Sequence, residues 1–439
     1  MRGRRRPAVI LGLLLAAGAC RPAPPPAVSA DIVGLMSGPS AGFARADGPR
    51  PIVFPADEGP HPAYQTEWWY YTGQLFVRDP ADEAAPPAWL READVGDRRR
   101  FGFQLTFFRS SLAPERTVAG EATTSANAMT GPNGTATPHG SPAAPTSPTS
   151  PLSPTSAWTT DQAYLAHFAL TDVAAARFRS AERLGRGALG LAGAVAAPYR
   201  VWLGPWFAAA RPSAGPRGGH AAADGVRLRA NDGPNAIDVT VRPVKPAALH
   251  GQNGWSRKGP EAGNASYYYS YTRLAATGVV TTADGVLPVA GGVWMDHEWS
   301  TSALADGRVG WDWLSLQLDD GRDIMAFQIR DAAGRPAPES SASLVDARGH
   351  VTSLGARDFA LTPTGRWTSP RTGAVYPSGW RLTLPGTGDE LRLTPLLVDQ
   401  ELSTGFRYWE GAVRVDGTAG GRAVRGRGYV ELTGYAIRH

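Results

Sequence analysis

One cysteine in 439 residues rules out an intramolecular disulfide and any zinc or iron–sulfur centre built from thiolates. Charged residues are sparse at 19%. No later segment reaches the roughly eighteen consecutive apolar residues that a membrane-spanning helix needs. The signatures of a phosphate-binding loop, an EF-hand and a zinc protease are also missing. Two letter matches carry no weight. Gly38-Pro39-Ser40-Ala41-Gly42 spells a nucleophile elbow, but no strand precedes it and no helix follows. Gly185-Arg186-Gly187-Ala188-Leu189-Gly190 spells a dinucleotide fingerprint outside any strand–helix–strand unit. What the chain does have is aromatic bulk, with 14 Trp, 13 Tyr and 13 Phe, which excludes disorder as its general state. Its length allows one large or two to three ordinary domains.

The net charge of +5 is local. Arg2, Arg4, Arg5 and Arg6 precede an uncharged apolar run that ends in small residues before Cys20. This pattern reads as a secretory leader over residues 1–19. The small residues and the cysteine resemble the lipobox of bacterial lipoproteins, which makes Cys20 the expected lipidation site. The alternative is an ordinary leader cut near Ala19. Removal of the leader leaves basic and acidic side chains almost balanced, so no nucleic-acid partner is expected. The expected location is extracytoplasmic, in a bacterial cell envelope on the periplasmic side. Arg21 after the cysteine points toward the outer membrane.

Residues 20–50 are rich in Pro, Ala, Gly and Ser and read as a tether. The stretch 133–157, rich in Pro, Ser and Thr, reads as a disordered insertion. Between these lie short aromatic and β-branched runs bounded by Gly, Pro, Asp or Asn. Examples are 66–77, 101–109, 267–274, 309–318 and 408–415. Phe101, Phe103, Leu105 and Phe107 alternate at period two. Helical periodicity is nearly absent, with 163–190 the one stretch that could hold a short helix. The fold class expected is all-β, with antiparallel sheets in two similar units. The N-terminal unit is placed at 51–262 and the C-terminal unit at 263–439.

Val293-Trp294-Met295-Asp296-His297-Glu298-Trp299 packs three ionisable side chains between tryptophans. On a strand, Val293, Met295, His297 and Trp299 point one way, and Trp294, Asp296 and Glu298 the other. If the first set faces a barrel interior, His297 is a buried imidazole whose pKa desolvation lowers. A histidine merely satisfied by a neighbouring carboxylate is the competing reading. Asp296 and Glu298 could converge on a cation, but no second histidine is near in sequence, so no metal is expected. Glu67, beside two tryptophans and two tyrosines, must be either paired or functional.

Several motifs together resemble the lipocalin-like carotenoid 1,2-hydratase family, which includes AttH-domain proteins labelled predicted secreted hydrolases. They are Glu67-Trp68-Trp69-Tyr70-Tyr71-Thr72-Gly73, Ala166-His167-Phe168, Trp294 to Trp299, Trp311-Asp312-Trp313, Tyr408-Trp409-Glu410-Gly411 and Gly428 to Tyr435. The resemblance implies two tandem lipocalin-like antiparallel β-barrels with an apolar pocket near their interface. In the hydratases, water adds across an isolated alkene of an acyclic carotenoid without a cofactor. Such chemistry needs an acid to protonate the alkene and aromatic faces to stabilise the cation. His297 and Trp299 match the family's His-x-Trp element. The family's Tyr-x-Asp element is not reproduced, since Ile329-Arg330-Asp331 lacks the tyrosine.

The expected catalytic residues are therefore His297, Asp296, Glu298 and Asp312. Glu67, Trp69, Tyr71, Trp299, Trp311 and Trp313 are expected to bind the ligand. The expected partner is a large apolar molecule of isoprenoid or lipid type, together with the membrane through the N-terminal lipid. Two rival functions are a non-catalytic carrier or scaffold for envelope lipids and a secreted hydrolase. For the last, no nucleophile, base and oxyanion arrangement is legible.

Overall fold

The computed structural model describes residues 40–78, 92, 95–114, 160–211, 225–301 and 304–435. The leader, Cys20 and the 133–157 insertion lie outside these residues, as does most of the tether. Residues 43 and 46 at the tether's end are buried, and Trp255 Nε1 donates to Ala46 O at 2.7 Å. The folded part therefore starts some ten residues earlier than the composition suggests.

Antiparallel strands dominate, and helical structure among the described residues amounts to a 3-10 turn, Ala56–Glu58, and a 3-10 position at Glu92. The first sheet has thirteen strands. From edge to edge its main path runs through the strands starting at Arg177, Gln162, Arg100, Thr66, Gly285, Ala265, Asn235, Val226, Trp206, Arg200 and Ala192. Arg177–Arg186 comes round to touch Arg200–Leu203 and Val226–Asp232, so the sheet rolls into a nearly closed barrel. Inside lies one apolar core that includes Trp69, Tyr71, Phe103, Phe168, Trp206 and Trp299.

The second sheet has ten strands. Its main path runs through those starting at Val351, Ser341, Asp323, Arg308, Arg422, Arg407, Asp389, Trp380 and Ala360. It closes over a separate core around Leu314, Leu316, Trp380, Leu393 and Val413.

Two expectations are corrected here. The stretch 163–190 holds no helix but the hairpin strands Gln162–Asp172 and Arg177–Arg186. Its alanines mimic helix propensity, while Tyr164, Ala166, Phe168 and Leu170 alternate into the core. The two units also do not meet at 262. Ala265–Thr282 and Gly285–Ser300 pair with each other and with the first sheet, which keeps the chain through Ser300. The Gly- and Pro-rich break near 258–264 is a loop within the first unit.

Thr66–Val77 is buried on both faces, which explains its unbroken aromatic run. One face looks into the barrel and the other meets the second sheet. Trp294, Trp313, Met325, Phe327 and Tyr429 form a third core between the sheets. Gly102 permits this approach, because a Cβ there would lie 2.7 Å from the Ala412 Cβ. Polar clasps join the sheets too. Gln74 Nε2 donates to Val413 O at 2.8 Å, and Lys245 and Arg273 converge on Asp323.

Candidate functional site

The Thr66–Val77 and Gly285–Ser300 strands pair with Glu67 opposite Trp299, Trp69 opposite His297 and Tyr71 opposite Met295. These six project into the barrel. Trp68, Tyr70, Trp294, Asp296 and Glu298 project toward the second sheet, as the period-two alternation dictates. A single strand pair thus serves two sites, one on each face.

Inside the barrel, fully buried Glu67 is the node of a polar cluster. Its Oε1 accepts from His297 Nε2 at 2.8 Å and from His61 Nδ1 at 2.7 Å. Its Oε2 accepts from Arg109 Nε at 2.7 Å and from the His61 amide at 2.9 Å. His61 Nε2 reaches Asp57 at 2.9 Å, Arg50 pairs with Asp57 at 2.8 Å, and the His61 ring stacks on Trp299 at 3.8 Å. Burial opposes the charge of Glu67, but Arg109 and then His61 hold its carboxyl well below the usual range. Burial lowers the His297 pKa, so the ring is neutral, with Nε2–H donating to Glu67 and Nδ1 accepting from Tyr269 O–H at 3.1 Å. His61 goes the other way: burial works against its charge, yet Glu67 and Asp57 raise its pKa.

His61, Glu67 and His297 bring three ligand atoms within 4.8 Å of one another. The second histidine absent from the local sequence thus arrives from far along the chain. The surroundings nevertheless suit hydrogen bonding better than a dication. Asp57 and Glu67 are already matched by Arg50, Arg109 and a protonated His61.

A raised histidine pKa contributes stability that is full below the unfolded value of about 6.5 and is lost as pH rises through the folded value. The difference in melting temperature between wild type and His61→Gln should accordingly be largest at mildly acidic pH and shrink toward alkaline pH. A difference that does not change with pH would refute a charged His61.

On the other face lies a cleft between the sheets, enclosing about 880 Å³ with its open mouth included. The first sheet supplies Trp68, Tyr70, Tyr268, Asp296 and Glu298, and the second Trp311, Trp313, Phe327 and Glu431. Tyr70 meets Trp313 edge to face at 5.1 Å, and Trp313 Nε1 donates to Tyr268 Oη at 3.1 Å. Lys258 lies 4.0 Å from the centre of the Phe327 ring and pairs with Glu298 at 3.0 Å.

The carboxyls here behave unlike those inside the barrel. Asp296 accepts from Trp294 Nε1 at 2.6 Å and from the Ser270 hydroxyl. Burial outweighs these bonds and pushes its pKa up to about 7. Glu431 accepts from Trp311 Nε1 at 2.6 Å, and burial again pushes its pKa up to about 7. Behind it, Glu410 is fully buried, accepts from the Tyr70 hydroxyl, and is raised well above the ordinary range by burial and then by Glu431. Two carboxyls near neutrality thus face an aromatic cleft from opposite sheets. Each can give or take a proton at physiological pH.

The residues singled out from sequence therefore fall in three places. Asp296, Glu298, Trp311 and Trp313 line the cleft. His297, Glu67, Trp69, Tyr71 and Trp299 pack inside the barrel and do not line the cleft, so His297 and Asp296 cannot work on one substrate atom from the same side. Asp312 belongs to neither group. It lies on the opposite face of its strand from Trp311 and Trp313, and it is tied to Arg330 Nε at 2.8 Å and to the Tyr435 hydroxyl at 3.0 Å. Trp68 and Tyr70 line the cleft where Trp69 and Tyr71 were expected, a shift of one residue that alternation turns into a change of face. Glu431, Glu410 and Lys258 were missed. Glu410 and Glu431 stood inside motifs already noticed, and only strand pairing shows that they face each other.

Two rolled antiparallel sheets enclosing an aromatic, acid-bearing cleft define a paired lipocalin-like β-barrel protein. The family model described as AttH-like matches residues 45–131 and 142–435, and the chain belongs to that family. An AttH crystal structure from Nitrosomonas europaea is 32% identical, with a TM-score of 0.67, and the match covers 90% of this chain and 100% of that one. Kievitone hydratase from Nectria haematococca shares the fold at 14% identity and a TM-score of 0.58, covering 90% of this chain and 98% of that one. No curated protein matches the sequence.

Proposed function

We propose that the protein binds a large apolar, unsaturated molecule of isoprenoid type in the cleft between the sheets and adds water to an alkene by acid catalysis. The observation that carries this reading is the pairing of aromatic walls with two carboxyls, Asp296 and Glu431, both poised near neutrality. One carboxyl in its acid form gives its proton to an alkene carbon: the O–H bond breaks and a C–H bond forms. The faces of Trp68, Trp311 and Trp313 stabilise the resulting cation. Water forms the C–O bond, its surplus proton passes to the other carboxylate, and proton exchange with solvent through the open cleft returns both carboxyls to their starting states. The hydratase among the structural relatives fits this reading. The leader and Cys20 support an exported, lipid-anchored location.

Titrating the folded ectodomain with short and long acyclic isoprenoids should quench the fluorescence of the cleft tryptophans. Trp311→Ala should weaken binding about tenfold, the equivalent of about 1.4 kcal/mol of aromatic contact. Unchanged affinity in this variant would move the site away from the cleft. Binding without turnover would favour the carrier.

A further inference from the structure

Glu410 and Glu431 are direct partners on the neighbouring strands Arg407–Ala419 and Arg422–Leu432, so their side chains leave the sheet on one side within a few ångströms of each other. Glu410 is fully buried, whereas Glu431 reaches the cleft. The Glu410 Oε1 accepts from the Tyr70 hydroxyl, its Oε2 is buried and receives no donor, and a hydrogen bond joins its carboxyl to the facing carboxyl of Glu431. Glu431 Oε1 accepts from Trp311 Nε1 at 2.6 Å. The groups that face the pair are Tyr70, Asp296 and Glu298 from the first sheet, with Tyr408, Tyr429 and Trp311 from the second. None of these is a cation; Lys258, which lines the same cleft, is held by Glu298 at 3.0 Å, and among the described residues no ion pair reaches Glu410. Two ionised carboxylates cannot be held together in such a place, because Glu410 has neither solvent nor a counter-charge and Glu431 meets solvent only through the cleft.

We propose that Glu410 is a constantly protonated positioning residue, which donates its Oε2–H to Glu431 and leaves Glu431 as the carboxyl that exchanges its proton with the cleft. The hydrogen-bond pattern fits this arrangement throughout. Tyr70 donates to the carbonyl-like oxygen of Glu410, Glu410 donates to Glu431, and the remaining Glu431 oxygen carries the mobile proton. When Glu431 protonates a substrate, its new carboxylate is met by two fixed donors, the Glu410 O–H and the Trp311 N–H, which lower the cost of the charge. The purpose of the arrangement rests on the acid–base reading above. The arrangement itself does not.

The test is a pH titration of the substrate-free protein labelled with 13C at the glutamate carboxyls, with Glu431→Gln and Glu410→Gln used to assign the two signals. The Glu410 signal should stay at the carboxylic-acid position throughout, and that of Glu431 should titrate near 7. In Glu410→Gln the amide N–H replaces the acid O–H, so the Glu431 midpoint should stay near 7. A fall of that midpoint toward the ordinary glutamate value of 4.5 would mean that Glu410 had been ionised and repelling Glu431, and would overturn the proposal. Ionisation of Glu410 before Glu431 in the wild type would overturn it as well, even if the variant failed to fold. Because no substrate is present, either result is independent of whether the protein hydrates an alkene.

Discussion

Asp323→Ala should lower folding stability by about 3–5 kcal/mol, a large share of the stability that a folded domain typically has. Asp323 is fully buried in the second sheet and takes two cations from the first. Lys245 Nζ lies 2.7 Å away, and Arg273 reaches it with Nη2 at 2.6 Å and Nε at 3.0 Å. The Thr272 hydroxyl adds a bond at 2.8 Å. Removing the carboxylate strands two desolvated cations at the junction, so the cost far exceeds that of a surface ion pair. Both cations also donate across the junction to backbone carbonyls: Lys245 to Gly321 O at 2.6 Å and Arg273 to Leu318 O at 2.9 Å. Their displacement would loosen the packing of one sheet on the other. Chemical denaturation of both proteins measures the effect. A variant within about 1 kcal/mol of wild type would show that the clasp is not a buried charge pair. Replacing Lys245, Arg273 and Asp323 together by apolar residues of similar volume should recover much of the loss.

The second large effect is catalytic. Asp296→Asn and Glu431→Gln should each lower turnover of an accepted alkene by about 10²–10⁴-fold, the usual cost of losing a general acid or base. Both substitutions keep shape and leave the aromatic walls in place, so binding of a hydrocarbon should be retained. The pH dependence follows from the direction of the shifts. A carboxyl raised to about 7 is the better acid below that value and the better base above it. With one group needed protonated and the other ionised, the rate should peak near neutrality and fall on both sides. A rate that rises steadily with pH would contradict a proton-donating step. Wild-type activity in both variants would remove the two carboxyls from the chemistry.

Much of the fold was legible because aromatic and β-branched runs between turn residues are strong local signals. Thr66–Val77 and Arg308–Leu318 fall where the sequence put them, and the turn at Asp319, Asp320 and Gly321 separates the expected neighbours. The stretch 163–190 misled because alanine favours helices in isolation, whereas burial of alternate side chains decides the outcome here. The unit boundary misled because a loop rich in Gly and Pro inside a barrel looks the same in sequence as a linker between barrels. The candidate site was half legible. Alternation correctly separated His297 from Asp296, but Glu67 meets His297 across 230 residues, a distance that no local pattern bridges. Glu410 and Glu431 escaped notice because a carboxyl's chemistry is set by its burial and by its neighbour across the sheet.

The measurement closest to the central proposal is turnover in heavy water. Incubation of the folded protein with acyclic isoprenoids in D2O, followed by mass spectrometry, should yield an alcohol with one deuterium bound to carbon. The yield should drop at least a hundredfold in Asp296→Asn or Glu431→Gln, while binding persists. Tight binding with no deuterium incorporated into any bound isoprenoid, in wild type as in both variants, would contradict acid catalysis in the cleft and leave a carrier.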